Sequence, residues 1–142
     1  MDKQDYINLA KIRMERSHEL IEEAKVLLSM NAYKSANNRA FYAMEKGIKA
    51  LLAMKCTDVK THNGALTQFN KLFIGSDDTI FDKADYKKIA KTERIRNASD
   101  YDDFYLASKE ESIEQVKVVE EFINKVDKYI SKEILQERTS VL

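Results

Sequence analysis

The chain has 142 residues, and its 24 Lys and Arg balance its 24 Asp and Glu, so it is one domain by size without the global field of general DNA binders or polybasic membrane proteins. One cysteine, Cys56, excludes an intrachain disulfide framework and a multi-cysteine metal site, and fits a reduced intracellular setting. No Pro, three Gly, and 34% charged beside 44% hydrophobic residues suit long water-facing helices better than a turn-rich β fold.

The first helix is expected from about Asp5 to Met30, with Ala10, Met14, Ser17, Ile21, Ala24 and Leu28 on one stripe at steps of three and four. Its start, "MDKQDYINLAKIRMERSHEL", carries charge every few residues where a signal peptide needs an unbroken apolar stretch. No apolar run approaches the ~20 residues that span a bilayer, so a cytoplasmic protein without membrane partners is expected. After a break at Asn31, a second stripe of Tyr33, Ala36, Ala40, Ala43, Gly47, Ile48 and Leu51 is rich in small residues. Such residues let helix axes approach closely, which puts this helix at the centre. "CTDVKTHNG" reads as a loop in which Thr61 can cap a short third helix carrying Leu66, Phe69, Leu72 and Phe73 and ending near Gly75. "SDDTIFDKAD" reads as a polar connection to a fourth helix from about Asp82, with Tyr86, Ile89 and Ala90 directed inward toward Ile95. "SKEE" at Ser108 to Glu111 is a capping box that starts the last helix. Ile113, Val116, Val119, Ile123, Val126 and Ile130 continue it, and "QERTSVL" trails off as a frayed tail. The sum is an all-α, up-down four-helix bundle with a short additional helix, one domain over residues 1–142 with a core at about 5–135.

Three constellations bear on chemistry. Glu15 and His18 stand in the Glu-x-x-His spacing of di-iron bundles, but such sites need two pairs, and His62 is preceded by Val59 at the equivalent position. No metal is therefore expected, and His18 reads as a surface residue. Arg39 and Tyr42 in "NNRAFYAMEKGIKALLAMK" read by default as a surface charge and a snorkelling aromatic. "RIRNASDYDDFY" resists dismissal, because acidic residues at a helix C-terminus oppose the macrodipole and need compensation. Arg94 and Arg96 can supply it in an Arg-carboxylate cluster with Tyr101, Phe104 and Tyr105 packed beneath.

Together, "AYKSANNRAFYAMEKGIKALLAMK", "KTHNGALTQFNKLFI" and "RNASDYDDFY" resemble, in order and spacing, the HEPN domain superfamily in its small stand-alone prokaryotic branch, over roughly Leu20 to Phe122. The resemblance implies a helical bundle that forms a homodimer, with the Arg motifs of both subunits facing one cleft. It also implies one of two jobs: metal-independent ribonuclease, frequently a toxin, or partner of a minimal nucleotidyltransferase. The ribonuclease motif is Arg, a polar residue, and a His separated from the Arg by four to six residues. Arg96 and Asn97 match the first two; the positions open to the histidine hold Tyr101, Asp102 and Asp103. Tyr titrates near 10 and Asp near 4, so neither suits removal of a proton from a ribose hydroxyl at neutral pH.

The expectation that follows is a dimeric module, without cofactor, that binds a nucleotide or RNA phosphate or regulates a nucleotidyltransferase in a toxin-antitoxin-like pair. Arg96 would hold the phosphate, Asp100 would fix its guanidinium as a bidentate acceptor, and Asn97, Tyr101, Asp103, Arg39 and Tyr42 would complete the binding face. The alternative is a ribonuclease whose base has moved, with His62 brought to Arg96 by the fold and Arg96 stabilising the developing charge.

Overall fold

The computed structural model describes residues 1–75 and 80–141, with side chains through 138. The elements are α1 (Lys3–Ser29), α2 (Tyr33–Met54), α3 (His62–Phe69) running into a π-helical turn (Asn70–Ile74), α4 (Lys83–Tyr101) and α5 (Lys109–Val141). This is the expected all-α bundle, four long helices and one short one; residues 76–79, within the expected polar connection, lie outside the described residues. Among the described residues, no helix is long and apolar enough to cross a membrane.

α2 is the central element, packing against α1, α3, α4 and α5. Its small-residue stripe explains why. Ala36, Ala40, Ala43 and Ala50 are fully buried, and the Ser17 hydroxyl of α1 donates to the Ala43 carbonyl at 2.7 Å, a contact that a larger side chain between the axes would prevent. Gly47 sits under Phe122, Val126 and Ser17, each between 3.7 and 4.0 Å from where a Cβ would lie. The turn between α1 and α2 uses Asn31 at φ 60, and the end of α2 uses Cys56 at φ 52; a short polar side chain is among the few that adopt this left-handed region readily.

α1 starts three residues from the N-terminus because Asp2 and Asp5 form a capping box: the Asp2 carboxylate accepts from the Asp5 N–H at 2.8 Å and the Asp5 carboxylate from the Asp2 N–H at 3.1 Å. Asp82 and Asp85 repeat the device at α4. At α5 the Ser108 hydroxyl accepts from the Glu111 N–H at 3.1 Å, while the Glu111 carboxylate accepts from the Tyr105 hydroxyl. Phe69, Phe73, Phe81, Phe122 and Tyr129 form a buried aromatic cluster with ring centroids 5.4 to 6.2 Å apart in contacting pairs, which clamps α3 and its π turn onto α5.

α3 is placed by its entry loop. The Arg13 guanidinium donates to the Lys49 carbonyl at 3.1 Å and to Asp58 at 2.8 Å, and this guanidinium holds the Asp58 carboxyl below its usual range. Thr61 then caps α3 by accepting from the Gly64 N–H at 3.0 Å. A Cβ at Gly64 would lie 2.5 Å from Val59 Cγ1 and 2.7 Å from Thr61 Oγ1. Gly64→Ala should therefore destabilise the protein by about 1–3 kcal/mol through overpacking, outweighing the ~1 kcal/mol that Ala gains over Gly inside a helix. A shift of the urea midpoint to lower concentration checks this.

Candidate functional site

The site forms where the N-terminal half of α2, the C-terminal half of α4 and the first residue of α3 meet. α2 contributes Asn37, Asn38, Phe41, Tyr42 and Glu45, and α4 contributes Glu93, Arg96, Ser99 and Asp100. Steps of three and four put each set on one helical face. Two hydrogen bonds fix the register between the helices. Buried Asn37 donates to Ser99 Oγ at 3.1 Å, and Asn38 donates to Asp100 Oδ2 at 2.8 Å.

Arg96 is held from below by aromatic faces. Its Cζ lies 4.1 Å from the Phe41 ring centroid, 5.7 Å from that of Tyr42 and 5.9 Å from that of Tyr101, and its side chain is 13% exposed. The expected bidentate pair with Asp100 does not form. One guanidinium nitrogen stands 3.8 Å from Asp100 Oδ2, beyond hydrogen-bond length, and that oxygen accepts from Asn38 instead. The buried Arg96 Nε has no hydrogen-bond partner among the described residues. The cation is thus fixed in place by stacking while its charge stays largely unneutralised.

His62, distant from Arg96 in sequence, is brought to the same ring: its centroid is 4.8 Å from Phe41's, edge-on. With Arg96 Cζ 4.1 Å from that ring, the two groups lie within roughly 9 Å of each other. The imidazole sits between two carboxylates, Nδ1 2.8 Å from Glu45 and Nε2 3.3 Å from Glu93. Neither contact is aligned as a hydrogen bond, so both are ion pairs by distance. Glu45 above all, and then Glu93, raises the His62 pKa against the opposing effect of burial; His62 in turn holds Glu45 below its usual range. An imidazolium that must be charged to satisfy two acids is a poor proton acceptor. Since the folded pKa lies above 6.5, its stabilising contribution is complete below that value and is lost as pH rises through the raised pKa. Thermal midpoints should therefore step down on the alkaline side in the native protein, and this step should vanish in His62→Gln.

The other residues singled out in the sequence divide into two groups. Tyr42 flanks Arg96, as above. Arg39 borders a surface hollow of about 480 Å³ with Lys34, Asn38, Ser99 and Asp100, and it is tied to Asn38 at 2.7 Å and Glu23 at 3.4 Å. Asn97 and Asp103 are exposed, and Arg94 is exposed without an ion pair among the described residues. Asp102 ends α4 with a local turn, its carboxylate accepting from the Phe104 N–H at 3.0 Å. The expected packing of aromatics beneath the helix end holds only for Tyr105, whose hydroxyl pKa is pushed up to about 12 by burial and by Glu111. Tyr101, Phe104 and Leu106 are 75, 95 and 89% exposed. His18 lies on the surface, 2.6 Å from Asp127. Glu45, Glu93, Phe41, Asn37 and Asn38 were missed by motif reasoning, although the spacing of three or four that links Glu45 and Asn38 to Tyr42, and Glu93 to Arg96, was readable.

Residues 10–129 match the family model of the HEPN domain. The chain is 32% identical over 124 residues to "Putative toxin MJ0142" of Methanocaldococcus jannaschii, covering 87% of this chain and 83% of that protein. It is 27% identical over 126 residues to a UPF0332 protein of Archaeoglobus fulgidus, covering 86 and 95%. The crystal structure of TT1696 from Thermus thermophilus has the same fold, with TM-score 0.70 at 17% identity over 84% of this chain and 96% of that one.

Proposed function

The chain belongs to the HEPN domain family, and from that premise we propose that it is a cytoplasmic, dimeric module that binds RNA or nucleotide phosphate through Arg96. Its regulatory partner is a minimal nucleotidyltransferase, in a toxin-antitoxin-like pair. The observation that carries the reading is the state of Arg96: stacked on Phe41 at 4.1 Å, with an unpartnered Nε and no ion pair closer than 3.8 Å. A bidentate carboxylate would neutralise the guanidinium and occupy its fork; here the fork is oriented by stacking and left open to a further anion. The M. jannaschii relative bears the name of a toxin, which supports a toxin-like setting. The exposed Tyr101, Phe104 and Leu106 beside the motif offer an apolar surface for the second subunit.

A ribonuclease reading gains one specific observation, the approach of His62 to Arg96 on a shared Phe41 ring. The charge state restricts that reading: a protonated His62 suits donation to a leaving 5′ oxygen better than removal of a proton from the 2′ hydroxyl. Incubation of the pure protein with single-stranded RNA in EDTA separates the two. The binding reading predicts saturable association with intact RNA. Cleavage to 2′,3′-cyclic phosphate ends that is lost in both Arg96→Ala and His62→Ala would replace it, and no association with RNA or nucleotide would remove it. Capture of a nucleotidyltransferase on the tagged protein from native lysate tests the partner.

A further inference from the structure

We infer that His62 is a positioning residue for Arg96: held between Glu45 of α2 and Glu93 of α4, it occupies Glu93 and so keeps the Arg96 guanidinium open to an anion. The inference rests on Arg96 being the phosphate-holding group.

The geometry supplies each step. Glu93 and Arg96 are three residues apart on α4, and side chains at this spacing are neighbours on a helix surface and pair readily when their charges are opposite. Yet Glu93 contacts His62 at 3.3 Å, and among the described residues Arg96 has only the long ion pair to Asp100. Glu45 has a second cation, Lys49 at 3.4 Å, so it keeps a partner whatever happens to His62. Glu93 has none besides His62 among the ion pairs of the described residues. The charged groups facing the imidazole are therefore Glu45 and, behind it, Lys49 from α2, with Glu93 and Arg96 from α4; its own helix contributes no acid or base at this end.

Loss of charge on His62 releases Glu93 alone, and Arg96, three residues on along the same helix, is then placed to receive it. A carboxylate that turns to the guanidinium competes directly with a phosphate oxygen. The site is thus open to anions while His62 is protonated and self-closed when it is neutral. Burial sharpens the effect, because Glu93 and Arg96 are largely shielded from water and their attraction is weakly screened.

His62 and His18 are the two histidines of the chain, so a His18→Gln background leaves one imidazole to follow by NMR. In that protein, labelled with ¹⁵N-arginine and ¹⁵N-histidine, the Arg96 Nε–H signal should move with the same midpoint as the His62 ring. In Glu93→Gln the arginine signal should stay flat while His62 still titrates. Binding of a short single-stranded RNA should weaken across that transition in the native protein, and roughly fivefold in His62→Gln on its acid side, as expected for about 1 kcal/mol of competition from a neighbouring charge. His62→Lys, which keeps the charge, should hold affinity through the transition. An Arg96 signal indifferent to His62 protonation, or a His62 ring neutral throughout, overturns the inference even where RNA binds. If RNA binds no form of the protein, the phosphate reading fails, and the ligand-free NMR titration still decides the role of His62.

Discussion

Arg96→Ala is expected to weaken binding of single-stranded RNA or of pyrophosphate roughly ten- to a hundredfold, the equivalent of the ~1.5–3 kcal/mol of a hydrogen bond to a charged group. The fold should tolerate the change. Arg96 is a lid on Phe41 rather than a part of the apolar core, and its stacking is worth about 0.5–2 kcal/mol, against which the aromatic cluster and the α1–α2 seam remain untouched. Arg96→Lys keeps a point charge and loses the planar fork, so it should recover part of the affinity while relaxing selectivity among phosphate ligands. The salt dependence gives a second reading of the same event: one phosphate contact fewer should flatten the slope of log affinity against log salt by about one unit. Fluorescence anisotropy of a labelled oligonucleotide, taken at two or more salt concentrations in EDTA, measures both.

The second large effect concerns assembly. Phe104 is 95% exposed, and Tyr101 and Leu106 are exposed beside it, on the turn that Asp102 closes directly after the Arg96 helix. In a two-fold interface each such residue is buried twice. At about 1.5–3 kcal/mol for full burial of a Phe side chain, Phe104→Ala should remove up to about 3–6 kcal/mol of association from the proposed dimer and leave a monomer at concentrations where the native protein is expected to pair. High salt should not have this effect, because the energy is apolar. Tyr105→Ala provides the contrast. Its ring is half-buried and its hydroxyl holds Glu111 of its own chain, so its loss should loosen the start of α5 first and the dimer only as a consequence. Multi-angle light scattering with a parallel thermal melt distinguishes the two variants.

The bundle was legible wherever one helix face is apolar or small. Ala36, Ala40, Ala43 and Gly47 announced a close central helix, and Val116, Val119, Ile123, Val126 and Ile130 announced the inner face of α5; all are buried, whereas Ile113, placed on the same stripe, is exposed in the first turns of that helix. α4 was misread on its inner face. Periodicity put Tyr86 and Ala90 inward, yet Tyr86 is exposed and the buried face carries Asp85, Thr92 and Ser99 beside Ile89 and Ile95. Those polar groups can be buried because partners reach them from other helices, Lys125 to Asp85 at 2.6 Å, Gln115 to Thr92 at 2.9 Å and Asn37 to Ser99 at 3.1 Å. Partners 23 to 62 residues away in sequence leave no local trace, so a polar inner face looks like an outer one.

The site was half legible for the same reason. Arg96 stood out because its motif is local. The pairing of Asp100 with Asn38, and of His62 with Glu45 and Glu93, joins three separate segments and decides which charges remain open. Asp100 looked like the bidentate partner of Arg96; the fold leaves it 3.8 Å away and hydrogen-bonded to Asn38 of α2. His62 looked like a displaced base because it was the nearest unassigned histidine. Its two carboxylate neighbours favour its charged form, which suits a proton donor better than a base.

The most direct test of the account asks the guanidinium itself. In the ¹⁵N-arginine-labelled native protein at a pH where His62 is charged, a short single-stranded RNA is added in EDTA and the Arg96 Nε–H signal is followed. The account predicts a saturable shift of that signal, absent when the RNA is added to a protein already filled with pyrophosphate. An RNA that binds while the Arg96 signal stays unmoved would contradict it.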